Sequence, residues 1–221
     1  MAIDWKLWGS ALALGGVAAL LGTEQGKALV ADLTRRGKKL TETKLDADGK
    51  IPVPPTELAR AVSASLGRPV TATALALARM LRSEEGSASV TVKRLLAWVA
   101  LNDAAELRWT LLKTLTYSTV ATRNGLFGKQ ISRRYSTAQD PYENDLAIAE
   151  NVIADHAAGS PDPTGGAVKF VNKSAFSSQP GASSYAAVAA KWAKDGLQPT
   201  VLPGAPANLV FFRRVRGQLV S

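Results

Sequence analysis

Within Thr71 to Gly86, TATALALARMLRSEEG, a rotation of about 100° per residue puts Leu77, Met80, Leu81 and Glu84 on one stripe of a helix. Arg79 and Arg82 fall on the opposite side, and Glu85 lies beside the stripe, where water is expected to reach it. A carboxyl held against apolar neighbours favours its protonated form, which is the form a general acid needs near neutral pH. Glu84 is therefore the candidate proton donor. The structural alternative is that it ends the helix and bonds a backbone amide or an arginine in a partly buried rim.

Other reactive groups are scarce. The chain has no cysteine, which excludes disulfides, thiolate nucleophiles and cysteine-ligated metals. Its single histidine, His156, follows Asp155 at the end of a polar helix, so an exposed role is expected and a Ser-His-Asp or zinc site elsewhere is not. Glycoside cleavage needs a protonated acid beside the bridging oxygen, together with either a second carboxylate or a nucleophile within the sugar. Asp140, Glu143 and Asp162 are the candidates for a second carboxylate. Each also has a structural explanation: Asp140 as a cap before Pro141, Glu143 in a first helical turn, Asp162 in an Asp-Pro turn. The single-glutamate route, in which one residue acts first as acid and then as base while a sugar hydroxyl closes an anhydro ring, is preferred.

The 221 residues, 46% hydrophobic and 20% charged, suffice for one domain with an appendage. Three parts are expected: a hydrophobic membrane-associated helix over 1–22, a polar and proline-rich spacer over 23–55, and a compact domain over 56–221. Leu7 to Gly22 is apolar or small throughout and is flanked by Trp5 and Trp8, yet it is a little short of the ~20 residues of an untilted span. Asp4 cancels Lys6, so the positive start of a secretory signal is missing. Positive charge follows the run at Lys27 and Arg35 to Lys39, which would leave the rest of the chain on the cytoplasmic side. A protein that works outside the cytoplasm would conflict with that orientation unless the segment belongs to a virus particle or arrives from outside. In the spacer, DADGK has no glutamate at the right place to complete a calcium loop.

Lys plus Arg at 27 against Asp plus Glu at 18 gives a net charge of +9 and attraction to polyanions. The cations occur in short clusters without interleaved aromatics, so no specific nucleic-acid partner is expected.

Helices are expected over 56–66, 72–85, 89–105, 106–116, 141–156 and 183–195, and strands over 168–171 and 208–214. The stretches 117–140 and 157–167 read as irregular loops of the kind that line a cleft. Trp98, Trp109 and Trp192 sit at apolar helical positions and read as packing. Tyr135 and Tyr142 can stack on sugar faces, at least one of them being expected as ordinary core, and Gly165 and Gly166 either admit a ligand close to the backbone or simply make a tight turn. Gly125, Gly128, Arg133 and Arg134 suggest a loop near an anionic ligand or a solvated charged loop.

The order ARMLRSEEG, LLAWVALNDA, GLFGKQIS, DLAIAENVIA, SPDPTGGAVKFVN and APANLVFF, spanning Leu75 to Phe212, resembles the cell wall hydrolases of the spore-cortex-lytic (SleB) type and their bacteriophage relatives. Its most specific element is DPTGGAVKFVN, Asp162 to Asn172. The resemblance implies a mainly α, α+β, lysozyme-like helical domain with a small β element. It also implies cleavage of the β-1,4 bond between N-acetylmuramic acid and N-acetylglucosamine in peptidoglycan, by hydrolysis or lytic transglycosylation and without a cofactor. The family's essential glutamate falls on Glu84, its loop glutamine on Gln130, and its aromatic and asparagine on Phe170 and Asn172. With Tyr135, Thr164 and Gly165 these are the expected substrate contacts. The chain departs from the family where Gly86 to Ser89 replaces a further acidic residue, and where Asn208 or Leu209 stands near a histidine of the final strand. The implied partners are peptidoglycan glycan strands and, through residues 3–22, a membrane or other virion proteins. The implied setting is a virion or the bacterial envelope, the wall being breached as a genome enters. A structural virion or membrane protein that keeps the fold without activity is the other reading.

Overall fold

In a computed structural model, residues 39–41, 53–122, 129–133, 135–176 and 184–215 are described. Helix α1 runs Pro55–Leu66, α2 Ala72–Glu85, α3 Val90–Leu107, α4 Leu111–Thr116, α5 Glu143–Ala157 and α6 Tyr185–Lys194. The strands are β1 Ser118–Thr122, β2 Lys129–Arg133, β3 Ala167–Asn172, β4 Leu197–Thr200 and β5 Leu209–Arg214. The protein is mainly helical with a small sheet, as its sequence pattern implies. The apolar segment over 3–22 lies outside the described residues, and among the described residues no helix is long and apolar enough to cross a membrane.

Helix α2 is the centre of the domain, touching α1, α3, α4 and α5. Its ALALARML run explains why: a helix that is small or apolar nearly all round is buried nearly all round, and Ala74 through Leu81 are all buried. Arg79 is among them at 2% exposure, which corrects the expectation that it faces away from the core. Thr71 caps α2 by accepting the Ala74 N–H at 3.1 Å. Thr71→Ala is expected to lower stability by about 1 kcal/mol in chemical denaturation, since one buried-end amide loses its acceptor.

Helix α3 ends at Arg108, which takes a left-handed conformation at φ 54°, and α4 restarts under a Thr110 cap. The break expected after residue 105 therefore falls slightly later. β1 and β2 form an antiparallel hairpin pairing Ser118 with Arg133 and Thr122 with Lys129, within a stretch expected to be irregular. The short β-branched runs STVAT and KQISR flank Asn124-Gly125, and pairing between them satisfies backbone groups that a loop would leave to water.

β5 is the middle strand of the second sheet, between β3 and β4, with both pairings antiparallel. Leu209 and Phe211 enter the main core while Val210 and Phe212 enter a second cluster with Val168, Leu197 and Trp192. Burial on both faces is why NLVFF reads as a continuous apolar run. β4 was not expected, because four residues containing Pro199 carry little strand pattern; at a sheet edge the missing N–H is tolerated. Lys39 to Thr41, inside the stretch read as a spacer, is docked on the domain. Lys39 bridges Tyr142, Leu40 N–H donates to the Pro141 carbonyl at 3.0 Å, and the Leu40 side chain packs on the core.

Candidate active site

The last turns of α2 hold the returning chain by side-chain contacts at Arg79, Ser83 and Glu84. Arg79 donates to the carbonyls of Thr137 at 2.9 Å and Ala138 at 3.2 Å and pairs with Asp140, which also accepts from Thr41. Ser83 Oγ accepts the Gln139 N–H at 2.9 Å, and Glu84 Oε1 accepts the Ser136 N–H at 2.5 Å. Glu84 is partly buried, as the apolar stripe implied, and it bonds a backbone amide, as the structural alternative implied. Burial raises its pKa above the ordinary carboxyl value; the Ser136 N–H pulls it down, and the neighbouring Glu85 charge raises it again. Two acidic residues in the final turn of a helix also oppose its dipole, at a small local cost.

Glu85 is not in open water, which corrects the sequence expectation. It accepts from Asn172 Nδ2 at 2.6 Å. Asn172 Oδ1 in turn accepts the Ser174 N–H and Asn208 Nδ2, both at 3.0 Å, and Asn208 also reaches Ser174 Oγ at 3.2 Å. Two donors on Oδ1 settle which way the Asn172 amide points. Glu85, Asn208 and Ser174 are thus members of the site that sequence reasoning did not include. The place of Asn208 opposite a family histidine was the only hint.

Phe170 lies two residues before Asn172 on β3, hence on the same face of the strand. Its ring stacks on Tyr135 at 6.4 Å between centroids. Tyr135 is 6% exposed and bonds Asp103, which pairs with Lys169 at 2.7 Å. A ring that buried supports the site from behind, so its expected stacking on substrate is corrected to packing. Tyr142 carries the Arg82 guanidinium over its face at 4.3 Å.

Thr164 and Gly165 are not brought to Glu84. Thr164 is 1% exposed, and its Oγ donates to Asp162 at 2.7 Å and accepts from Asn102 at 3.1 Å. The Asp162 carboxylate also takes the N–H groups of Thr164 and Gly166, so it caps a turn. Gly165 and Gly166 have φ of +59° and +84° and supply the left-handed backbone that turn requires. The turn opens β3 whereas Asn172 closes it, a separation of roughly 17 Å along the strand. Gly165→Ala is expected to cost about 1–2 kcal/mol in denaturant unfolding while leaving any chemistry at Glu84 unchanged.

Among the earlier alternatives for a second carboxylate, Asp140 belongs to Arg79 and Asp162 to its turn. Glu143 opens α5, at whose start the Asp145 carboxylate accepts the Tyr142 N–H at 3.0 Å. Gln130 is in β2 opposite Ala121, with its side chain outside the described set, as are Gly125, Gly128 and Arg134. His156 is exposed against the Trp98 ring. Among the described residues no group of three His, Cys, Asp or Glu side chains converges as a metal site would need. Compared with protein-family models, curated proteins and solved structures, the chain matches none.

Proposed function

We propose that this protein cleaves the β-1,4 bond between N-acetylmuramic acid and N-acetylglucosamine in peptidoglycan, on a lysozyme-like helical domain, with Glu84 as the proton donor. The supporting observation is the state of Glu84. Its carboxyl is shielded enough for burial to raise its pKa, yet it is not sealed in the core. Such a group carries a proton at a pH where an exposed glutamate does not. In the reaction Glu84 gives that proton to the bridging oxygen as the C1–O bond breaks and, in the single-glutamate route, then acts as the base for the group that attacks C1. The motif order from ARMLRSEEG to APANLVFF supports the choice of substrate. The apolar segment before the domain suits an enzyme carried by a virion or held at the envelope, where wall cleavage is local.

The test is to incubate the purified protein with sacculi, follow turbidity, and separate the released muropeptides by mass spectrometry. Loss of turbidity with new glycan ends is expected. Intact sacculi across the pH range 4 to 8 would remove the reading in favour of a structural protein, and steeply salt-dependent DNA binding in its place would indicate a polyanion-binding one.

A further inference from the structure

We infer that Glu85 is the second carboxylate of the reaction, the general base that activates water, which makes the protein a hydrolase and not a transglycosylase; this rests on the glycan-cleaving reading above. The argument is one of placement. Glu84 and Glu85 are adjacent at the end of α2, yet they are anchored on different elements: Glu84 on Ser136 N–H at 2.5 Å and Glu85 on Asn172 Nδ2 at 2.6 Å. The anchors belong to one patch, because Tyr135, next to Ser136, stacks on Phe170, and Phe170 and Asn172 share a face of β3 about 7 Å apart. The two carboxyls are thereby anchored on different elements of one patch, Glu84 against the chain that follows β2 and Glu85 against the end of β3.

Glu85 is also oriented as few surface glutamates are. The Asn172 amide that holds it is itself held by the Ser174 N–H and by Asn208 Nδ2. This relay runs from α2 through the end of β3 to the residue before β5, tying the three elements together and fixing the direction of the Glu85 carboxylate. It restricts one carboxylate oxygen of Glu85. Of the other candidates, Asp140 is paired with Arg79 and Asp162 is consumed by its turn.

The step balances as follows. Water attacks C1 of the muramoyl residue, and the C1–O4 bond breaks. The water proton passes to Glu85, and the proton on Glu84 passes to O4 of the leaving N-acetylglucosamine. The products are one reducing end and one free 4-hydroxyl, after which Glu85 returns its proton to solvent and Glu84 regains one.

The experiment compares wild type, Glu85→Gln and Glu85→Ala on sacculi, with muropeptide mass spectrometry, unfolding midpoints, and 1 M azide added to the alanine variant. Wild type is expected to produce reducing ends. Glu85→Gln is expected to be slower by about 10²-fold or more with its unfolding midpoint retained. Azide, which attacks without needing deprotonation, is expected to restore turnover of Glu85→Ala and yield a glycosyl azide. Anhydro ends from wild type, or a Glu85→Gln rate within threefold of wild type, would overturn the assignment of Glu85 while leaving glycan cleavage standing. A wild type with no activity on sacculi would remove both. Should Glu85→Ala unfold, the glutamine variant and the nature of the wild-type ends still decide.

Discussion

Glu84→Gln is expected to reduce the rate of sacculus clearing by about 10²- to 10⁴-fold, the usual contribution of a positioned general acid. Glutamine keeps the shape and an oxygen for the Ser136 N–H, so the loss is of the proton and not of the contact. Wild-type activity is expected to decline as pH rises through the raised pKa of Glu84, because the protonated form is the working one. Stability changes with pH in the same direction. A carboxyl whose folded pKa lies above its unfolded value binds more protons when folded, so it costs nothing below the unfolded pKa and destabilises progressively as pH rises above it. Glu84→Gln is therefore expected to be more resistant to urea than wild type near pH 7, with the difference closing below about pH 4. A variant that is both less active and more stable is what a functional carboxyl predicts; equal activity, or lower stability at neutral pH, would contradict it.

Arg79→Met is the substitution with the largest expected effect on folding. Arg79 and Asp140 are 2% and 9% exposed and are paired, and removing one member of such a pair typically costs about 3–5 kcal/mol. Against a total stability of about 5–15 kcal/mol this lowers the unfolding midpoint by roughly 10 °C. Activity is expected to fall further than stability alone requires, because the same guanidinium binds the Thr137 and Ala138 carbonyls and so keeps Ser136 against Glu84. Arg79→Lys is not expected to rescue, since one ammonium cannot span the two carbonyls and the carboxylate that the planar fork reaches. The Arg79→Met, Asp140→Leu pair is expected to recover stability but not activity. Calorimetry and the turbidity assay on the three variants together check this.

The second buried ion pair, Lys93 with Asp145 at 2.6 Å, is of the same kind but lies between α3 and α5, away from Glu84. It illustrates how little of the buried charge was legible. Lys93 and Arg79 are both long cations on largely apolar helices, and periodicity treats such residues as marks of a wet face. Their partners are 52 and 61 residues away in sequence, so only the fold shows that each is neutralised inside.

Local pattern determined a good deal. The helices appear near their expected bounds because Ser and Thr caps and 3.6-residue periodicity are properties of a few consecutive residues. β3 and β5 were visible for the same reason. Glu84's burial followed from the stripe it shares with Leu77 and Leu81. The hairpin over 118–133 and the edge strand β4 were not visible, since a short strand is defined by the partner that completes its hydrogen bonds and not by its own composition.

What the sequence alone determined is which residues are able to titrate and which faces must be buried: one carboxyl on an apolar stripe, no thiol, one exposed histidine. Tertiary structure decided who meets whom. It moved Tyr135 into the core, gave Asp162 and Thr164 to a distant turn, and brought Asn172 from 87 residues along the chain onto Glu85, with Asn208 behind it on Asn172. The physical reason is range. Helix periodicity and capping act within about four residues, whereas the hydrogen bonds that hold Glu85 close only once β3 has paired with β5 and both have packed against the helices.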